Sequence, residues 1–206
     1  MSMVSFKKRE IVYRPYEAVL KTIVDLVMII CLAFLMVLSF FHKTTIDGNS
    51  MSTKLNQKDI VLINKISYSF SSPQRFDIVV FETEDEDGEV TQYVKRIIGL
   101  PGETIQIQNG KIYIDGELLE HDVTDVEIYN AGLAADPIKL SYNEYFVLGD
   151  NRNNSDDSRF SNIGLVTRSQ IIGKPWLCIS PISDFGIITD SAVRNATETE
   201  TETETN

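Results

Sequence analysis

The chain has 206 residues, 43% hydrophobic and 24% charged, and its 30 acidic against 19 basic side chains give a formal net charge of −11. Such an acidic surface lacks the positive field that phosphate binding needs, so no nucleic-acid partner is expected. Cys31 lies in an apolar run and Cys178 far along the chain, which excludes a disulfide framework, and one soluble cysteine with His42 and His121 cannot assemble a four-ligand zinc site.

The first 17 residues are basic, with Lys7, Lys8, Arg9 and Arg14. The stretch 26–41, LVMIICLAFLMVLSFF, is uncharged, and extending it back to Ala18 gives about 24 residues, roughly 36 Å of helix, enough to cross a bilayer. Lys21 and Asp25 sit four apart near one end, where lysine can snorkel and pair with the carboxylate. A cleavable leader would have a shorter apolar core and a small-residue cleavage site, whereas this run ends FFHKTTID. An uncleaved anchor is therefore expected over 18–41. The excess of basic residues before it, relative to Lys43, Lys54 and Lys58 after it, predicts a cytoplasmic segment 1–17 and an extracytoplasmic domain over 42–190.

That domain, roughly 150 residues, is long enough for one core. It reads as short β-rich runs: DIVLIN (59–64), FDIVVFE (76–82), QYVKRII (92–98), ETIQIQ (103–108), KIYI (111–114) and EYFVLG (144–149). Asn109-Gly110 predicts a hairpin, Asp115-Gly116 a second turn, and helix outside the anchor should be scarce. The acidic run 82–90 reads as a solvated loop, because Thr83 and Val94 would fall where a calcium loop needs its first and twelfth ligands. The tail 191–206, ending in Thr/Glu repeats, has nothing apolar to bury and is expected to be disordered.

A His-based triad would have to recruit His42 at the membrane boundary or His121, neither in a catalytic setting. Asp150 and Asp157 share a polar loop with Arg152 and Arg159, which reads as a charge-paired loop rather than an acid/base pair. Ser50 lies in GNSMS, a poor match to the G-x-S-x-G elbow, and the lysine after it falls one place late for S-x-x-K. Another base is needed. Lys95 sits in an apolar strand, alternating with Val94 and Ile97. Either Lys95 faces a dry interior with Arg96 outward, or the reverse, and a mid-strand lysine is ordinarily a solvated edge charge. Lys65 and Lys111 have no better claim.

Three segments, DGNSMSTKL (47–55), YVKRIIGLPGE (93–103) and GDNRNNSDDSR (149–159), resemble in order and spacing the signature boxes of type I signal peptidases, the membrane-anchored Ser-Lys proteases that remove signal peptides. The single N-terminal span resembles the Gram-positive form. The resemblance implies a mostly β, signal-peptidase-like catalytic domain with one N-terminal transmembrane helix. It implies Ser50 as nucleophile, Lys95 as general base and Ser155 as hydrogen-bond partner of the lysine amine. Asp157 and Arg159 would brace the loop, and Met51 would support the site beside the nucleophile. The oxyanion donor would be the Ser50 backbone N–H, with Gly48 two residues earlier offering no side-chain hydroxyl.

No metal or cofactor is implied. The implied partners are exported preproteins with signal peptides, the lipid bilayer and the protein export machinery, with substrate lying as an extended strand near Ser50 and small residues in shallow pockets. The lysine must be tuned, since at a pKa of about 10.4 only roughly one molecule in 2500 is neutral at pH 7, and burial in an apolar strand is the means. Where the family reads x-Pro-Thr-Leu after Ser-Met, this chain has Ser52, Thr53, Lys54 and Leu55, which implies a looser turn. That departure supports an alternative reading, a specialised or catalytically weak factor in the assembly of pilus or other surface proteins.

Overall fold

The computed structural model describes residues 15–45, 50, 51, 55, 58–84, 88–124 and 126–188. The chain divides into two compact units, Met1–Ser39 and Phe40–Asn206. The first holds α1, Pro15–Phe40. Its window Tyr16–Leu35 is long and apolar enough to cross a membrane, and its side chains are exposed throughout. An all-round apolar surface suits lipid as its solvent. The helix begins three residues earlier than the expected anchor and stops one earlier, because Phe41 already pairs in a strand.

The second unit is β-rich, as expected. Its strands are β1 Phe41–Thr45, β2 Ile60–Asn64, β3 Ile78–Glu84, β4 Val90–Gly99, β5 Thr104–Gln108, β6 Lys111–Ile114, β7 Glu117–Leu118, β8 Ile138–Lys139, β9 Glu144–Leu148, β10 Val166–Thr167, β11 Ile171–Ser180 and β12 Gly186–Ile187. The larger sheet runs β1-β2-β11-β3-β4-β9-β10, with β12 on β11, and a smaller sheet runs β7-β6-β5-β8. Helix in this unit, among the described residues, is limited to two 3-10 turns, Gly132–Ala135 and Ile182–Asp184.

Every strand expected from the sequence is present. Asn109 and Gly110 take the positive φ values, 49° and 74°, that a two-residue hairpin turn between β5 and β6 requires. The longest strand besides β4 was not legible: β11 contains Gly173 and Pro175, two strand breakers. Both have positional reasons. Pro175 lies where the register with β2 shifts, and Gly173 lies where β11 passes from β3 to β2 and the Asn64 carbonyl comes within 2.5 Å of where a Cβ would stand.

Strand β3 is buried on both faces. Ile78 and Val80 point into a cluster with Met51, Leu55, Val61, Ile63, Val94 and Cys178, while Val79 and Phe81 point into one with Ile97, Val147 and Ile171. A third cluster, including Ile98, Ile105, Ile112, Phe146 and Leu148, packs the smaller sheet onto β4 and β9. Central strands covered on both faces read as continuous apolar runs. A charged residue inside one must find a partner there.

Replacing Gly173 with Ala forces a Cβ against backbone, so we expect the unit to lose about 2 kcal/mol of stability, read as a lower thermal midpoint in detergent. Gly186→Ala, with no atom within 4 Å of its added Cβ, is the control and should leave the midpoint unchanged.

Candidate active site

Strand β4 carries Lys95 and Arg96 into the interior side by side, at 3% and 0% exposure. The alternation expected from the sequence, one of them inward and the other outward, therefore fails. β4 pairs with β3 along Val90–Arg96 and with β9 over Arg96–Gly99, and both faces are covered. Arg96 stands opposite Ile78 and pays no penalty for a free charge, because its guanidinium forks the Asp150 carboxylate at 2.7 and 2.6 Å and donates to the Phe76 carbonyl at 2.8 Å.

The Lys95 amine, Nζ, donates to Ser50 Oγ at 2.6 Å, and stands 5.7 Å from the Tyr93 ring centre. Its pKa is lowered to about 8, chiefly because burial disfavours the ammonium. Asp157 and then Asp156 pull it upward, while Arg159 pushes it down. Asp157 is itself forked by Arg159 at 2.7 and 2.8 Å, so part of its field is cancelled within the pair and burial decides the direction.

Ser50 is partly exposed, and Met51 beside it is fully buried. Met51 anchors the turn: its carbonyl accepts from the Leu55 N–H at 2.7 Å and its Sδ from the Asp150 N–H at 3.5 Å. The Ser50 carbonyl accepts from the Asn151 N–H at 2.9 Å. Among the described residues the Ser50 N–H has no acceptor, so the donor expected to face an oxyanion is available. Gly48 and the departing positions 52–54 lie outside the described residues.

Ser155 is near but differently engaged. Its Oγ donates to the Asp156 carbonyl at 3.4 Å and not to the Lys95 amine. Gly149, at the end of β9, explains the proximity: a Cβ there would lie 2.2 Å from Ser155 Oγ and 2.7 Å from the Ser50 carbonyl oxygen. Only glycine lets the two serine segments meet, and its place at a strand end was the one sequence signal for it.

The loop 149–159 is charge-paired as expected, with different partners. Asp150 pairs with Arg96 rather than Arg152, and Arg152 forks Asp122 at 2.7 Å on both nitrogens. Arg159 also donates to the Arg152 and Asn130 carbonyls at 2.6 and 3.0 Å, and Asp157 Oδ2 accepts from the Gly149 N–H at 3.1 Å as well as from Arg159. Sequence reasoning missed Arg96, Gly149, Asn151 and Asp122, since their partners are distant in the chain. Glu103 of the second box is structural: it forks Arg75 at 2.6 and 3.0 Å and accepts from the Leu100 N–H at 2.7 Å, closing the turn through Pro101 and Gly102.

A reachable hydroxyl on a dry amine, beside a backbone N–H with no acceptor among the described residues, is chemically equipped for acyl transfer. Residues 19–179 match the family model described as signal peptidase, peptidase S26. A signal peptidase I of Leptolyngbya laminosa is 37% identical over 147 residues, covering 68% of this chain and 70% of that protein. Signal peptidase I S of Bacillus subtilis is 34% identical over 176 residues, covering 82% and 92%. A crystal structure of a signal peptidase I from Enterococcus faecalis aligns with a TM-score of 0.37 at 30% identity, over 50% of this chain and 97% of that one. The chain belongs to the signal peptidase family, peptidase S26, and is a serine endopeptidase.

Burying Lys95 has a sign that can be measured. With the folded pKa below the ordinary 10.5, the cost of holding the ammonium in the fold is fully present below pH 8, shrinks as pH rises from 8 to 10.5 and is gone above that. Lys95→Met should therefore raise stability at pH 7, by about 3 kcal/mol, with no gain above pH 10.5. Denaturant unfolding at both pH values checks this.

Proposed function

We propose that this enzyme is a single-span membrane protein that removes N-terminal signal peptides from exported preproteins, with Ser50 as nucleophile and Lys95 as general base. Residues 1–17 lie in the cytoplasm, 18–41 contain the span, 42–190 form the extracytoplasmic peptidase domain and 191–206 a Thr/Glu tail. The reading is carried by the 2.6 Å contact of a partly exposed hydroxyl with a buried amine, in a member of this family.

Neutral Lys95 takes the Ser50 proton as Oγ attacks the carbonyl after a small residue. The Ser50 N–H stabilises the oxyanion, and collapse expels the mature chain's amine, protonated from Lys95. Water, deprotonated by the same lysine, then releases the signal peptide from the acyl-enzyme. Ser155 turns from the Asp156 carbonyl to hold the amine in line, and Asp157 with Arg159 fixes the loop that carries it. Substrate binds as an extended strand. In support, β4 pairs with β9 only from Arg96 onward, so among the described residues 90–95 have a strand partner on one side alone, next to Ser50. The enzyme works at the membrane in which the signal peptide is embedded, alongside the export machinery.

Incubating a preprotein with the wild type, Ser50→Ala and Lys95→Ala in detergent tests this. The wild type should cut after a small residue, and each variant should lose at least about a thousandfold in rate. For the wild type, kcat/KM should rise about tenfold from pH 7 to well above 8, as the amine loses its proton. Retained cleavage by Lys95→Ala would contradict the assignment of the base. An intact preprotein after incubation with the wild type would favour the specialised assembly factor.

A further inference from the structure

The smaller sheet holds a cavity that the reaction does not use. It has a volume of about 440 Å³ and opens between the β5–β6 turn at Asn109 and Gly110, the edge strand β7 and the residues 121, 122, 124 and 126–128. That size is in the range of specific binding pockets. Its apolar surface comes from Ile112, Leu118, Leu119, Val126 and Ile128, of which Leu118 and Val126 are 44% and 50% exposed. On its wall, Thr124 Oγ1 is buried with no hydrogen-bond partner among the described residues, which is costly unless something fills the site. Of its lining residues Asp122 and Glu127 are acidic and Lys111 is the one lysine or arginine, and the exposed Glu117 and Glu120 adjoin the lining residues Leu118 and Leu119 in the chain.

The cavity is continuous with the catalytic loop. Asp122 on its wall forks Arg152, three residues before Ser155. Asn153 donates to the Glu127 carbonyl at 2.9 Å and accepts from the Tyr129 N–H at 3.0 Å, so Asp122, Glu127 and Tyr129 are all tied to that loop. A chain held at Ser50 thus has a second, rigidly connected surface on which to continue.

We propose that this cavity is an exosite for the mature part of the substrate, taking an extended peptide segment with an apolar side chain next to lysine or arginine. The apolar side chain enters among Leu118, Val126 and Ile128, the peptide backbone hydrogen-bonds Thr124, and the basic residue faces the carboxylates at the rim. The site rests on the peptidase reading for its occupant, but its binding can be measured without catalysis.

Two peptides share the residues around the cut, one ending about four residues beyond it and the other continuing for about fifteen through an apolar and basic stretch, long enough in extended form to span a domain. The full chain in detergent should show a KM for the long peptide about tenfold below that for the short one, the equivalent of one well-buried apolar group. Leu118→Lys/Val126→Lys should remove that difference without changing kcat or the KM of the short peptide. The downstream segment alone, fluorescently labelled, should bind Ser50→Ala by anisotropy and not Ser50→Ala carrying Leu118→Lys/Val126→Lys. Equal KM values for the two peptides with no binding of the segment would overturn the exosite and leave the peptidase intact. Binding of the segment with neither peptide cut would overturn the peptidase reading and leave the site.

Discussion

A lysine can serve as a base only if its amine is dry, and it is useful only if the hydroxyl it touches is not. That constraint organises the structure. Lys95 is placed on a central strand covered on both faces, whereas Ser50 sits on a turn at its edge, partly exposed. The contact is registered by neighbours in the chain. Arg96, next to Lys95, forks Asp150, and Asn151, next to Asp150, holds the Ser50 carbonyl. Lys95 and Ser50 are therefore linked twice, through their own hydrogen bond and through a buried ion pair one residue away.

The loop 149–159 has little regular structure, yet Asp150, Arg152, Asp157, Ser158 and Arg159 are buried, so the carboxylates of Asp150 and Asp157 cannot turn to water. Guanidinium groups take water's place. Arg159 alone engages Asp157 and the carbonyls of Arg152 and Asn130, and Arg152 reaches Asp122 beyond the loop. Removing one partner of such a pair leaves a buried charge, which costs more than the intact pair contributes. The same bonds fasten Asp122 and Asn130, in the stretch between β7 and β8, to the loop 149–159.

Half of the strands, β2 to β6 and β9, were legible because they are apolar, alternating or bounded by turns such as Asn109-Gly110. β11 was hidden because its glycine and proline are needed where it changes partners, a tertiary reason that local propensity does not contain. The residues proposed for chemistry could be found in the sequence only through the resemblance of three boxes. Periodicity around Lys95 predicted that one of two adjacent cations would face solvent, and it missed that Arg96 is neutralised by a residue 54 positions away. Gly149, beyond its place at a strand end, gave no sign that its missing side chain is the space in which the Ser50 carbonyl and Ser155 meet.

The most direct test is a titration of the Lys95 amine itself, followed by carbon-13 NMR of the side chain, assigned by comparison with Lys95→Met in the full chain in detergent. A midpoint near 8 is the predicted result, since burial outweighs the pull of Asp157 and Asp156. A midpoint at the ordinary 10.5 would mean the amine is solvated and charged at neutral pH, and Lys95 could not be the resting base.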